Sequence, residues 1–355
     1  MEGGMVEDAS IIGGLIGVQF VYAGNAVLLS YLLSLGLNSL TIVIFSSFAT
    51  FLVLIPVAFY YERSIWPKKF SFKLFIQILL LSFGGVTLFQ SLFLKGINLT
   101  SPSMGTAMPN LAPGLIFVIA LTFRMEKVDL SCTYSKVKII GTLLCVLGAL
   151  TMSIMSSISI SAPNKEEATI QLLSSPPLPP DILFDRQKIF GCLYLLAAVF
   201  ILSSNIILQA FTLGDFPAPM SLCAITAFFG ACMTAIAQLL QDHEFKTSWP
   251  LVSLRDLIAY SLLTGTVNGI CLSFHAWALK KRGPVLVSMF SPISTVCSVI
   301  FSYVTLGDTI NIGSFAGMIL MFTSLYFVLW AKGKEGYASG DALQSDFDAE
   351  KLLLS

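Results

Sequence analysis

Ten runs of about twenty apolar residues punctuate the chain, and that length lets a helix cross a hydrocarbon core of roughly 30 Å. Lipid offers no water to the backbone, so each run must close its hydrogen bonds internally as a helix. The runs fall near 11–33, 38–60, 74–94, 104–124, 137–157, 189–209, 219–240, 257–279, 285–306 and 311–331. Charged residues make up 11% of the 355 positions and hydrophobic ones 55%, where a soluble domain carries about a quarter charged residues. The expected fold is therefore an all-α membrane protein with ten transmembrane helices.

Residues 1–10, MEGGMVEDAS, contain no basic side chain. The basic start of a signal peptide is missing, so the first run reads as a retained helix behind a short N-terminus. Basic residues favour cytoplasmic loops. With the N-terminus inside, fourteen of the 20 Lys and Arg, from Arg63 to Lys351, fall on the cytoplasmic side. Lys95, Lys165, Arg186, Lys188, Lys246 and Arg255 are left outside. That alternation supports ten spans with both termini cytoplasmic. Trp66, Trp249, Trp277 and Trp330 fall at or near predicted helix ends, at headgroup level. A net charge of zero argues against nucleic acid as a partner.

The one long polar break, 158–188, carries Pro-Pro pairs and mixed charges and reads as an extracytoplasmic linker. It separates a first five-helix unit, 11–157, from a second, 189–331, and a polar cytoplasmic tail follows over 332–355. The two units echo each other. Pro102 and Pro284, 182 positions apart, each introduce a helix that ends at an acid, Glu126 and Asp308. The same offset sets Asn110 opposite Pro292, and an offset of 180 pairs Asn25 with Asn205. A tandem duplication of five helices forces the second copy into the membrane upside down. The result is two inverted five-helix repeats, an architecture of secondary transporters.

Every acidic residue lies in a loop, a tail or at a helix end, which disfavours ion coupling through an intramembrane carboxylate. The seven cysteines form no Cys-x-x-Cys motif and have no cluster of His or acids beside them, so neither a metal, nor a cofactor, nor a disulfide framework is expected. With two histidines and no mid-membrane acid, no catalytic residue stands out, and an enzyme is disfavoured. The remaining polar interior consists of Gln19, Asn25, Gln90, Asn110, Asn205, Gln209, Asn268 and His275. Amides can bond both ends of a small zwitterion; the alternative for each is plain helix–helix adhesion. Pro109 and Pro113 in helix 4 and Pro292 in helix 9 interrupt equivalent helices, and paired interruptions point to a transporter's binding site. Gly13 with Gly17, Gly265 with Gly269, and Gly313 with Gly317 have the spacing that lets helices approach closely.

Several short motifs then occur in order: Gln19 with Tyr22-Ala23-Gly24; Pro56 with Glu62-Arg63; Gln90; Asn110-Leu111-Ala112-Pro113; Phe123 to Val128; Arg282-Gly283-Pro284; Phe290-Ser291-Pro292; and Tyr326 to Trp330. With these the chain resembles the EamA-type drug/metabolite transporters, and within them the plant nodulin-like, Walls-Are-Thin-related branch. The resemblance implies a ten-helix carrier of amino acids or similar small metabolites, with auxin or related organic acids as the alternative cargo; a non-transporting sensor or scaffold is the third reading. The expected substrate-binding set is Gln19, Asn25, Gln90, Asn110, Pro113, Asn205, Gln209, His275 and Pro292. Phe45-Ser46 stand where the family often has Tyr-Arg, and Ser30 or Tyr31 where it commonly has a lysine, which bears on carboxylate recognition. Expected partners are membrane lipid, a small-molecule substrate and, as an open alternative, a second copy in a homodimer. Asp348 with Leu352 and Leu353 resembles an acidic dileucine signal for a sorting adaptor, which leaves plasma membrane and vacuolar membrane as the two expected locations.

Overall fold

The computed structural model of the chain describes residues 2–34, 39–66, 71–100, 105, 108–125, 133–161, 186–241, 254–306, 315–331 and 334. It is all-helical over those residues. The helices are α1 (Glu2–Ser34), α2 (Ser39–Glu62), α3 (Phe72–Leu99), α4 (Met108–Thr122), α5 (Thr133–Ser161), α6 (Arg186–Asp215), α7 (Pro219–Gln241), α8 (Leu254–Arg282), α9 (Pro284–Ser288 and Ser291–Leu306) and α10 (Phe315–Ala331). Among the described residues seven segments are long and apolar enough to span a membrane, and shorter apolar helices cover Ala9–Asn25, Met108–Thr122 and Phe315–Ala331. Ten helices thus form where ten apolar runs predict them. Most of the linker, Gly313, Trp249, His243 and the tail with Asp348, Leu352 and Leu353 lie outside the described residues.

The helices pack as an inverted pair of units. α2 and α7 cross at the centre, α1 packs on α8 and α9, and α6 packs on α3 and α4. α2 also meets α8, as α7 meets α3. Exchanging the two halves carries each of these contacts into another one. That is the signature of a pseudo-two-fold axis running through the α2–α7 crossing.

Helix α5 shows how sequence sorts lipid from protein. Ile140, Leu143, Leu147 and Leu150 recur at three- and four-residue steps and are all exposed, where lipid is the solvent. Gly141, Cys145, Gly148 and Met152 line the opposite, buried stripe. There α5 runs antiparallel to α10: Gly141 meets Ser324 and Val328, and Gly148 meets Gly317. A Cβ at Gly148 would sit 2.9 Å from the Gly317 carbonyl oxygen, and one at Gly317 would sit 2.7 Å from that of Gly148. Without a hydrophobic driving force between helices in lipid, this backbone approach supplies the packing. Gly265 likewise abuts Ala49 and Thr50 of α2. Gly13 and Gly17 differ: among the described residues nothing comes within 4 Å of a Cβ at either, so the expectation of a close helix contact is not met there.

Three helices depart from regular α geometry. α3 passes through a π segment at Phe83–Leu88, which holds Gly84-Gly85. α9 breaks at Met289 and Phe290, because Pro292 has no amide hydrogen for the carbonyl four residues earlier. α4 begins with a 3-10 turn, Met108–Leu111, ahead of Pro113. The α4 turn and the α9 break occupy equivalent places, 182 residues apart.

Candidate functional site

The α4 turn and helix α9 touch just beyond the α9 break. Thr295 Oγ1 in α9 donates to Asn110 Oδ1 in α4, at 2.7 Å. Asn110 is 2% exposed, and Pro113 and Pro292 are buried as well. Asn110 lies twelve residues before Thr122, and Thr295 eleven after Pro284. At 1.5 Å per residue both stand about 16–18 Å from the same face of the bundle, close to the middle of a ~30 Å core. A polar contact between two helices of the two repeats therefore sits at the depth where carriers bind their cargo.

The other polar residues fall into separate groups. Gln19 is buried in α1, and Asn25 lies half-buried in the same helix. Gln209 in α6 and His275 in α8 are half-buried and sit nearer the face that holds Asp215 and Arg282. Gln90 is half-buried but lies about 27 Å along α3 from Phe72, toward the opposite face. Asn205 turns to α3 instead: its Nδ2 donates to the Leu81 carbonyl at 3.0 Å, and its side chain fits against Gly84 and Gly85 of the π segment. The bonds seen at Asn110 and Asn205 go to Thr295 and Leu81, and neither goes to another of the nine expected site residues. The link that does form runs through Thr295, which was not among them. Its signal was legible, for Asn110-x-x-Pro113 faces Pro292-x-x-Thr295 at the same offset, with the proline and the polar residue exchanged.

The face that carries the ends of α2 and α8 is polar and crosslinked. Glu62 is buried and accepts from the Met220 and Ser221 amides at 3.0 and 2.7 Å and from Ser221 Oγ at 2.8 Å. Trp66 Nε1 donates to Ser221 Oγ at 2.8 Å. Lys73 pairs with Asp215 at 3.2 Å and Lys281 with Glu7 at 2.9 Å. Lys281 holds the Glu7 carboxyl below the usual carboxylate range by hydrogen bond and charge, with Arg282 adding to it. A shallow depression at the end of α2, lined by Phe59, Tyr60, Arg63 and Ser64, lies on this face and away from Asn110. Among the described residues no three His, Cys, Asp or Glu are placed to hold a metal ion.

Two five-helix units of matching sequence pattern now coincide with two matches to one family. The EamA-like transporter family covers residues 9–154 and again 189–330. The chain belongs to the EamA-like transporter family. Each match spans one of the two inverted units, so the duplication is of the family's own domain. Among its relatives, the WAT1-related protein At5g47470 of Arabidopsis thaliana is 56% identical over 356 residues, covering 100% of this chain and 95% of that one. The WAT1-related protein At4g16620 of Arabidopsis thaliana is 51% identical, covering 98% and 94%. Protein WALLS ARE THIN 1 of Arabidopsis thaliana is 28% identical, covering 94% and 85%. A solved structure known only as the crystal structure of a protein shares the fold, with a TM-score of 0.62 at 13% identity over 90% of this chain and 97% of that one.

Proposed function

We propose that this EamA protein carries a small polar metabolite, amino acids first, across a membrane by alternating access of its two five-helix repeats. The observation that carries the reading is the Thr295 to Asn110 bond between the interrupted helices α9 and α4. Prolines at both interruptions leave backbone carbonyls without their helical donors. Together with the Asn110 amide they offer acceptors and donors for an amino and a carboxylate group, with no fixed charge. Gln19 and His275 extend the polar surface on the α1 and α8 side. The carboxylates within the described spans, Glu62 and Asp215, stand at span ends and not at mid-depth, and the reading is accordingly of facilitative, bidirectional exchange. The charge bias favours both termini in the cytoplasm, in a plasma or vacuolar membrane.

The test is exchange of a labelled amino-acid mixture in proteoliposomes, with label loaded on either side and with or without a pH gradient. Flux in both directions that ignores the gradient and is lost in Asn110→Ala supports the proposal. Absence of flux for every amino acid tested overturns the amino-acid assignment and turns the same assay to auxin-like organic acids.

A further inference from the structure

Helix α7 cannot cap its own start. It follows Phe216-Pro217-Ala218, so the residue before Pro219 has no side-chain acceptor, and Pro219 itself has no amide hydrogen. The Leu222 amide reaches the Ala218 carbonyl at 3.0 Å. The two amides that remain, Met220 and Ser221, both donate to Glu62, one to each carboxylate oxygen. Glu62 ends α2 in the first repeat, whereas α7 opens in the second. A capping contact that is normally local is thus made between repeats, and a carboxylate suits the positive end of the helix dipole. Trp66 from the first repeat closes over Ser221, and Lys280 of α8 holds the Pro217 carbonyl at 2.9 Å.

Among the described residues the same two helices are joined near their other ends by Gln238 Nε2, which donates to Thr41 Oγ1 at 3.1 Å. At the Glu62 face the α2–α7 crossing is fastened by a three-bond carboxylate cap, a charged fastening where the Gln238 to Thr41 bond is neutral. The ion pairs Lys73 to Asp215 and Glu7 to Lys281, which also join the two repeats, lie on the Glu62 face. From this cap between repeats and the ion pairs beside it we propose that Glu62 is a positioning residue for the transport cycle: its cap on α7 latches the two repeats shut at this face, and its release from Met220 and Ser221 opens that face. The proposal rests on the alternating-access reading above.

Cys223 provides a reporter that needs no substrate. It is 4% exposed, its Sγ lies 3.6 Å from the Leu272 carbonyl of α8, and it stands two residues after Ser221, which Glu62 holds. Cys145 and Cys297 are buried elsewhere in the core and serve as internal controls. The experiment is labelling of the full-length chain in lipid nanodiscs with a water-soluble maleimide, resolved by peptide. Glu62→Gln, which removes one acceptor oxygen, should raise the rate at Cys223 about tenfold while Cys145 and Cys297 stay within about twofold. Glu62→Asp should fall between Gln and wild type. An unchanged Cys223 rate in Glu62→Gln overturns the latch, and so does a rise common to all three cysteines, which would mean general loosening. Failure of the transport reading shows separately, as a lack of exchange by the wild-type chain whatever Cys223 does.

Discussion

Thr295 of α9 donates a 2.7 Å hydrogen bond to Asn110 of α4, and the two residues belong to helices that hold the same place in the two inverted repeats. The pairing is pseudo-symmetric in an exchanged sense, because Asn110 occupies the position of Pro292 and Thr295 that of Pro113. Each repeat contributes one breaker and one polar group to one contact. Substitution there is expected to act on flux before it acts on stability. Asn110→Ala should lower amino-acid exchange by about tenfold or more, and Thr295→Val, which removes one interhelical bond of about 1 kcal/mol, by about fivefold. The double variant should be no worse than Asn110→Ala alone, as measured by initial rates in proteoliposomes. Additive losses would mean that the two residues act independently.

The α5–α10 seam predicts a stability effect with a built-in control. At Gly148 and Gly317 a side chain would meet the facing backbone, so Gly148→Leu or Gly317→Leu should destabilise by about 1–3 kcal/mol. Gly13→Ala meets nothing within 4 Å and should stay within about 0.5 kcal/mol of wild type. Thermal unfolding in one detergent orders the three variants; equal melting temperatures would contradict the seam.

A third prediction concerns the π segment of α3. Asn205→Leu leaves the Leu81 carbonyl without its side-chain donor, at a cost of about 1 kcal/mol. Gly85→Ala places a Cβ 2.7 Å from Asn205 Oδ1 and should force the same amide out of position. Asn25→Leu should leave the melting temperature nearly unchanged, since α8, the helix equivalent to α3, runs without a π segment. Melting curves of the three variants test the difference between the repeats.

The Glu7 to Lys281 pair predicts a pH dependence of known sign. Lys281 depresses the Glu7 carboxyl, so the pair's contribution is fully present above the ordinary carboxylate value of about 4.3 and is lost as the pH falls through the lowered one. Both side chains are about half-exposed, so added salt should weaken the pair as well. Hydrogen exchange at the start of α1 should therefore be slower at neutral pH in low salt than in high salt, and Glu7→Gln should abolish that salt dependence. A salt response that persists in Glu7→Gln would refute the assignment.

Much of this architecture was open to reading before any coordinates. Apolar runs of bilayer length dictate helices, because an unbonded backbone amide in lipid is prohibitively costly, and this holds for each run on its own. The odd number of helices in a duplicated unit dictates the inversion, and a proline breaks a helix wherever it stands. Hence the ten helices, the two repeats and the interruptions at Pro113 and Pro292 followed from local chemistry.

Side-chain pairing is a property of helix rotation and register, and those are decided only when all the helices pack at once. Gly13, Gly17 and Gly317 all belong to four-residue glycine pairs, yet of these three only Gly317 meets another backbone, at Gly148, which belongs to no such pair. The expected amide set divides for the same reason: Asn110 reaches across to Thr295, Asn205 turns to the Leu81 carbonyl, and Gln90 stands near the far face. Glu62 reads in sequence as an ordinary acid at a helix end. Tertiary structure makes it the cap of a helix 157 positions later, because Pro217-Ala218-Pro219 leaves two amides that only a group from the other repeat can satisfy.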